Sequence, residues 1–465
     1  MTRRNEVTAA GPLETPVTRR AALRSLVQTA GAVSWGGLFA TRATTTAAAA
    51  SDQARVERGP LADEIERVMW DLVLAAWYPR CLDTERGGFF ENFARDWKRG
   101  PTPEKFLVYQ ARQTWVAAAV ALAHPQRRDP YLQYARHGLR FLADKMWDTQ
   151  HGGFFDRTDA AGGPIPKVMP WKQLYSYAFG IYAAAAVREA SGDRDALELG
   201  KSAFNWLDDH AHDTRQGGYF EHVTAEGHPV AMDVPPEPLG RDLPVIGQVG
   251  YKSMNAHIHL LEALTALRRV WDDTRLTARL QEVFEIVRDK IVLPGGHLNM
   301  FAGRDLAPYD ERGSFGHQLE IAYLLEEAAV VLDRHDADVT ARTALRTVDH
   351  ALRWGCDRDH GGFYDEGPPA GPATRTDKVW WVQVEALNGL LTAARLAPTN
   401  PEYFQRFTQT WAFFRRHMID DRYGDCYETV APDGKPLRVH KATPWKTAYH
   451  ITRALLFAAH ELRRV

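Results

Sequence analysis

Asp83-Thr-Glu-Arg-Gly87-Gly88-Phe89-Phe90-Glu91 returns as Asp148…Gly152-Gly153-Phe154-Phe155-Asp156, Asp213…Gly217-Gly218-Tyr219-Phe220-Glu221 and Asp357…Gly361-Gly362-Phe363-Tyr364-Asp365. Two weaker copies, Pro294-Gly295-Gly296-His297-Leu298 and Asp420…Gly424-Asp425-Cys426-Tyr427-Glu428, bring the number to six. Successive first glycines lie 65, 65, 78, 66 and 63 residues apart. So regular a period marks an array of one supersecondary unit, and one domain rather than the several that length alone would allow.

Around each motif lie two helical patterns. Ahead of it runs an amphipathic segment, such as Ala62–Trp77, Tyr131–Met146 or Thr274–Val292, with apolar residues at i, i+3 and i+4 and a charged opposite face. After it comes a segment apolar nearly all round: Gln113–Ala123, Gln173–Val187, Ile258–Leu267, Leu319–Leu332, Val382–Leu396 and Tyr449–Ala459. A helix that is apolar on every face must be buried. Twelve helices alternating outer and inner predict an all-α (α/α)6 toroid over residues 51–465, with short strand-like Gly-Gly-aromatic turns capping one end. An open helical solenoid is the competing arrangement.

Composition narrows the partners. With 57 Lys+Arg against 59 Asp+Glu there is no basic surplus to neutralise phosphates, which argues against a nucleic-acid binder. Three cysteines are too few for a disulfide framework or a cysteine-based zinc site. Residues 1–50 read separately: Thr18-Arg19-Arg20-Ala21-Ala22-Leu23-Arg24, an apolar Ser25–Ala40 stretch and an Ala/Thr-rich tail ending at Ala50 have the layout of a removable secretory signal of twin-arginine type. The stretch is too short and interrupted for a membrane span, so the expectation is a chain exported to the periplasm or beyond, starting near Ser51, with no stable membrane insertion.

The chemistry concentrates where the inner helices begin. Arg112, His317, Glu385 and His450 lie 25, 22, 24 and 26 residues past the first glycine of their units. His259 lies 42 past, because its unit carries a Pro-rich insertion over Asp233–Gly250. Equal offsets predict one ring of side chains around a central funnel, with the opening lysines Lys105, Lys252 and Lys378 among its polar lining. His137, His335 and His350 fall in outer segments and read as surface residues. Histidine titrates near neutrality and can take or return a proton, while arginine holds a developing oxyanion. Trp380 and Trp381 offer faces for a sugar ring. This set fits proton abstraction alpha to a carbonyl through an enediolate, which in a sugar means aldose 2-epimerisation or aldose–ketose isomerisation. Glu262 and Glu320, each three residues after a histidine, sit on the same helical face as that histidine.

Four strings in order, Lys252-Ser-Met-Asn-Ala-His-Ile-His-Leu-Leu-Glu-Ala263, Gly316-His-Gln-Leu-Glu320, Lys378-Val-Trp-Trp-Val-Gln-Val-Glu-Ala-Leu387 and Trp445-Lys-Thr-Ala-Tyr-His450, resemble the N-acylglucosamine 2-epimerase superfamily, above all its cellobiose 2-epimerase branch. The resemblance covers about residues 60–462. It implies an (α/α)6 barrel whose chemistry needs no metal or redox cofactor, and a small carbohydrate as substrate. It further implies His317 and His450 as the acid/base pair on opposite faces of C2, His259 as their assistant, and Glu320 in proton transfer or ring opening. Arg112 would hold substrate oxygens and Trp381 would stack on a sugar; Trp380, Glu262, Asn255 and Gln383, within the same strings, complete the candidate substrate-binding set. Three positions depart from the branch: Ala448 where Pro is usual, Gln318 where Asp is common, and Gly424-Asp425-Cys426-Tyr427 where Gly-x-Trp is usual. They bear on disaccharide specificity and leave the acid/base set intact.

Other chemistries fit parts of the pattern. Glycoside hydrolysis needs two carboxyls facing the scissile bond, for which Glu262, Glu320 and Glu385 are candidates. A metal-dependent isomerase would use His259-x-x-Glu262 and His317-x-x-Glu320 as ligands. A toroid that binds sugars without turning them over is the third alternative.

Overall fold

Inner helices gather their apolar residues on all sides, so they form a ring that leaves no face in water. In the computed structural model, which describes residues 48–167, 170–230, 252–308, 313–334 and 336–464, that ring is made of α2 (Leu107–Ala123), α4 (Leu174–Ser191), α6 (Met254–Val270), α8 (Phe315–Val331), α10 (Trp380–Leu396) and α12 (Tyr449–Arg463). Each packs on the next, and α12 packs back on α2. The expected toroid is therefore closed, and the open solenoid is excluded. The outer layer is α1 (Ala48–Arg67, continued to Trp77), α3 (Arg128–Phe141), α5 (Arg194–Ala211), α7 (Thr274–Ile286), α9 (Ala337–Trp354) and α11 (Pro401–Phe413). Each inner helix rests on the outer helix that follows it, and α12 rests on α1.

Local sequence explains these elements. The outer α9 buries Thr340, Thr343, Ala344, Thr347, Val348 and Ala351, one stripe at helical spacing. Asp193, Asp273 and Asn400 cap α5, α7 and α11 with side-chain oxygens on first-turn N–H groups. Several inner helices start earlier than periodicity predicted: α2 at Leu107 rather than Gln113, α6 at Met254 rather than Ile258, α8 at Phe315 rather than Leu319. Their first turns carry polar and ionisable residues, which break the apolar pattern while staying helical.

Short antiparallel ladders stitch neighbouring units. The residues leading into each inner helix pair with the strand after the next unit's Gly-Gly turn: β1 (Glu104–Phe106) with β2 (Arg157–Asp159), and β3 (Trp171–Gln173) with β4 (His222–Thr224). The same holds for β5 (Lys252–Ser253) with β6 (Phe301–Ala302), and for β7 (Gly313–Ser314) with β8 (Glu366–Gly367). In the fifth unit β9 (Lys378–Val379) pairs with β10 (Thr429–Val430), which also pairs with β11 (Pro436–Arg438). A bridge from Phe93 to Ala442 joins the sixth unit to the first.

The opening lysines do not face the funnel as their position suggested. Each turns back to the aspartate that begins its own Gly-Gly motif: Lys105 Nζ lies 2.9 Å from Asp83, Lys172 2.9 Å from Asp148, Lys252 3.1 Å from Asp213 and Lys378 2.8 Å from Asp357. Lys441 and Asp420, 3.0 Å apart, repeat the pair in the sixth unit. Those lysines are buried, so each charge is matched within the fold as burial requires. The second glycine of the motif serves a close approach: a Cβ on Gly88 would stand 2.4 Å from the Gln110 side-chain oxygen.

Residues 1–47 and 231–251, which hold nearly all of the expected signal and the whole Pro-rich insertion, lie outside the described residues. No helix among the described residues is long and apolar enough to cross a membrane.

Candidate active site

The first two turns of the inner helices enclose a cavity of about 220 Å³ lined by Arg112, Tyr175, Asn255, His259, His317, Glu320, Trp380, Trp381, Trp445 and His450. Its size follows the helix register. Arg112, Phe179, His259, Glu320 and Glu385 are each the sixth residue of their helix, and Arg453 is the fifth of α12. Of this deeper layer Arg112, His259 and Glu320 reach the cavity wall. His317 is the third residue of α8 and His450 the second of α12, about 4.5 Å or more nearer the mouth at 1.5 Å per residue. The single ring expected from glycine offsets is thus two tiers. Glycine offsets misled because the loop between turn and helix varies in length.

Hydrogen bonds assign the ring nitrogens. His450 Nδ1 lies 2.6 Å from Glu385 Oε1 and His259 Nδ1 lies 3.0 Å from Glu262 Oε2. As carboxylates these glutamates only accept, which puts a hydrogen on each Nδ1 and leaves both Nε2 atoms as acceptors. Burial raises Glu385, and Arg453 and the Tyr323 hydroxyl work against it to favour that form. His317 differs: its Nδ1 meets the Ser314 hydroxyl at 2.8 Å. The Trp381 ring neighbours both His317 and His450, with centroid separations of 4.7 and 5.8 Å. Burial, reinforced by His259, His450 and Arg112, pushes His317 down to about 3. Burial and then Arg112 and Arg453 also hold His450 well below the ordinary histidine range. Both imidazoles are neutral at neutral pH and able to accept a proton.

Beneath them Arg453, 2% exposed, gathers three carboxylates. It donates to Glu320 at 2.5 Å, to Glu385 at 2.8 Å and to Glu262. Burial works to raise Glu262, but Arg453 and His259 outweigh it and hold the group down to about 2. Glu320 is raised by burial and by Glu385 beside it. Arg112 donates to the Tyr175 hydroxyl at 2.8 Å and stacks on Phe179, its charged head at the cavity.

Most expected residues meet here: His259, His317, His450, Glu320, Arg112, Asn255, Trp380 and Trp381 all line the cavity. Two do not. Glu262 lies behind His259, bonded to it and to the Tyr449 hydroxyl. Gln383 is a correction: it is buried and clamps the backbone of Phe363 through both ends of its amide, as Gln110 clamps Phe89. His350, expected at the surface, is buried between Gln318 and the Pro369 carbonyl; His137 is part-buried against the Gly88 carbonyl, and His335 lies outside the described residues. Sequence reasoning missed Tyr175, Trp445 and Arg453. Arg453 could have been found by counting seven residues from Lys446, as Arg112, His259 and Glu385 fall seven after Lys105, Lys252 and Lys378.

This geometry favours proton shuttling over hydrolysis. Glu320 is the one carboxylate on the cavity wall among the described residues, whereas glycosidases set two across the scissile bond about 5 Å or more apart. Neither His-x-x-Glu pair opens as a ligand pair, since His259 is closed on Glu262 and His317 on Ser314. Among the described residues the trio close enough to share a cation is Glu320, Glu385 and His450. Its two carboxylates already accept from Arg453. Six inner-helix N-termini converge on the cavity, and their partial positive charge favours an anion forming there.

A closed (α/α)6 barrel with three histidines, an arginine and tryptophans at its inner-helix starts is the frame of an isomerase-class enzyme. The chain belongs to the N-acylglucosamine 2-epimerase (GlcNAc 2-epimerase) family, whose pattern matches residues 88–454. It is 29% identical over 393 residues to a cellobiose 2-epimerase of Bacteroides fragilis, covering 84% of this chain and 96% of that one. The structure of cellobiose 2-epimerase from Spirochaeta thermophila DSM 6192 shares 32% identity and a TM-score of 0.76, over 88% of this chain and 98% of that one. A D-mannose isomerase structure shares the fold at 22% identity and a TM-score of 0.72, over 86% and 97% of the two chains.

Proposed function

We propose that this enzyme inverts C2 of a reducing-end aldose, with a cellobiose-like disaccharide as substrate, by two-histidine proton transfer through an enediolate. The observation that carries the reading is the pair His317 and His450, both on the cavity wall and both against Trp381, with their Nδ1 atoms engaged by Ser314 and Glu385 and both held below the ordinary histidine range. One imidazole removes the C2 proton from one face of the open-chain aldose. The other, first protonated at Nε2 from solvent at the cavity mouth, delivers that proton to the opposite face, the C2 configuration inverts, and the first imidazole releases the abstracted proton to solvent. Arg112 at the wall and the converging helix N-termini stabilise the oxyanion between the two steps. His450 becomes an imidazolium against Glu385, which lowers the cost of holding that charge out of water. Glu320, raised by burial and by Glu385 and the one of the three glutamates that lines the cavity, is placed to donate to the ring oxygen as the sugar opens.

A cavity of about 220 Å³ is smaller than the roughly 300 Å³ at which sites for drug-sized ligands begin. It suits one sugar ring, with a second ring placed at the mouth, and a disaccharide substrate is supported by the cellobiose 2-epimerases among the relatives. The test is conversion of cellobiose by the wild type and by H317A and H450A. The expected outcome is the mannose-ended epimer from the wild type and at least about 10³-fold less from either folded variant. Turnover near wild type in either variant sinks the two-base mechanism, and a ketose product makes the enzyme an aldose–ketose isomerase instead.

A further inference from the structure

Arg453 does not itself line the cavity, yet three glutamates converge on it. Two of these carboxylates each fix an imidazole: Glu262 holds His259 and Glu385 holds His450. One guanidinium thus joins two histidine–glutamate pairs carried by three different helices, α6, α10 and α12. Its planar fork suits this, since it offers several donors at fixed angles where a lysine offers a single point charge. On the Glu385 side the shared oxygen is Oε1, which meets both His450 Nδ1 and Arg453. On the Glu262 side the oxygens divide: Oε2 meets His259, while Oε1 meets Arg453 and the Tyr449 hydroxyl.

We propose that Arg453 is a positioning residue that locks His259 and His450 in the Nδ1–H tautomer through Glu262 and Glu385, keeping both Nε2 atoms turned to the cavity as bases. This rests on the reading above that these histidines act at C2. The charge count supports it. Glu262, Glu320 and Glu385 face a single guanidinium: Arg453 and His259 hold Glu262 down, whereas burial raises both Glu320 and Glu385 with Arg453 working against it at each. Glu320 receives no imidazole, and its Oε2 has no hydrogen-bond partner among the described residues. Without Arg453, two or three carboxylates would share a dry site with no cation between them, and protonation would relieve the repulsion. A protonated Glu385 can offer its hydrogen to Nδ1, and the tautomer lock is lost.

Every ionisable group packed against Arg453 bears on its pH behaviour. Glu262 and His259 face it from α6, Glu320, Tyr323 and Glu327 from α8, and Glu385 from α10. Tyr449 and His450 lie on its own helix. Arg112 of α2 and Tyr182 of α4 complete the shell. The tyrosines are held un-ionised by burial, so the carboxylates and imidazoles set the response.

The test uses R453K, which keeps the charge and removes the fork, and R453M, which removes both. The readouts are kcat, KM, the pH profile of kcat and the imidazole ¹⁵N signals that report tautomer. R453K is expected to lower kcat about 10²-fold through misplacement of the bases, with KM within about threefold because Arg453 lines no part of the cavity. In R453M the acid limb of kcat moves to higher pH, since Glu385 must stay ionised and now protonates more readily. In both variants the ¹⁵N signals of two histidines change from one tautomer to a mixture. R453K with the kcat, acid limb and tautomers of the wild type overturns the proposal, and serves as the test even if R453M fails to fold. Should the wild type act on no tested sugar, the ¹⁵N comparison still decides: unchanged tautomers in R453K overturn the anchoring role whatever the reaction.

Discussion

His317 is the odd member of the histidine set. His259 and His450 each lean on a glutamate, while His317 leans on the Ser314 hydroxyl, so the site is chemically unsymmetrical across the sugar. A proton taken up by His450 or His259 is stabilised by a carboxylate, whereas one on His317 has no such partner and leaves readily. Other titratable groups are committed to the fold. Glu91 is buried, accepts from the Phe106 N–H at 2.7 Å and the Gln110 amide at 2.9 Å, and is pushed by burial up to about 8. Its folded state holds a proton that the unfolded chain, with a carboxyl ionising near 4.5, has released. Stability is therefore full below about 4.5 and is lost as pH rises through about 8. E91Q keeps an oxygen for both donors and has no proton to lose. Melting curves across this range should show E91Q gaining on the wild type as pH rises, by about 2–4 °C at pH 9, and a gain that does not vary with pH would remove this account of Glu91.

At the scale of elements, the repeat was legible because each unit must place the same turn at the end of an outer helix and bury the same inner helix. What periodicity could not read was the register of the inner first turns. There the glycine is a poor ruler and the buried lysine a good one, because the lysine is tied to the helix start while the preceding loop changes length. The lysines were visible in the sequence as polar residues at the mouth of each helix; that they point backwards depends on the Asp-x-x-x-Gly-Gly turn reaching them in three dimensions. Gln383 misled for the same reason, since a polar residue at an inner helix start serves the turn as often as the cavity. The Lys105–Asp83 pair, 0% and 2% exposed, makes this testable. D83A leaves an unmatched ammonium in the core and should cost about 3–5 kcal/mol in chemical denaturation, with turnover per folded molecule unchanged. A loss below about 1 kcal/mol would mean that Lys105 reaches water or another partner.

At the scale of the whole molecule, ring closure creates the site. Its histidines come from units three, four and six, its arginines from units one and six, and its tryptophans from units five and six, so no single unit holds the chemistry. The closing contacts, α12 on α1 and α2 and Phe93 to Ala442, involve one of the two divergent repeats. There Asp425 replaces the second glycine, adopts a left-handed φ of 54° and engages buried Lys446, four residues before His450. The departure from the repeat is thus tied to the segment that carries Trp445, His450 and Arg453. The central claim is that this assembled ring moves a carbon-bound proton, and proton NMR of cellobiose with the purified enzyme in D2O containing a chelator tests it most directly. The account predicts that the C2 proton signal of the reducing-end glucose fades while resonances of the mannose-ended epimer grow. A C2 signal that keeps its full intensity, with or without cleavage of the glycosidic bond, would contradict it.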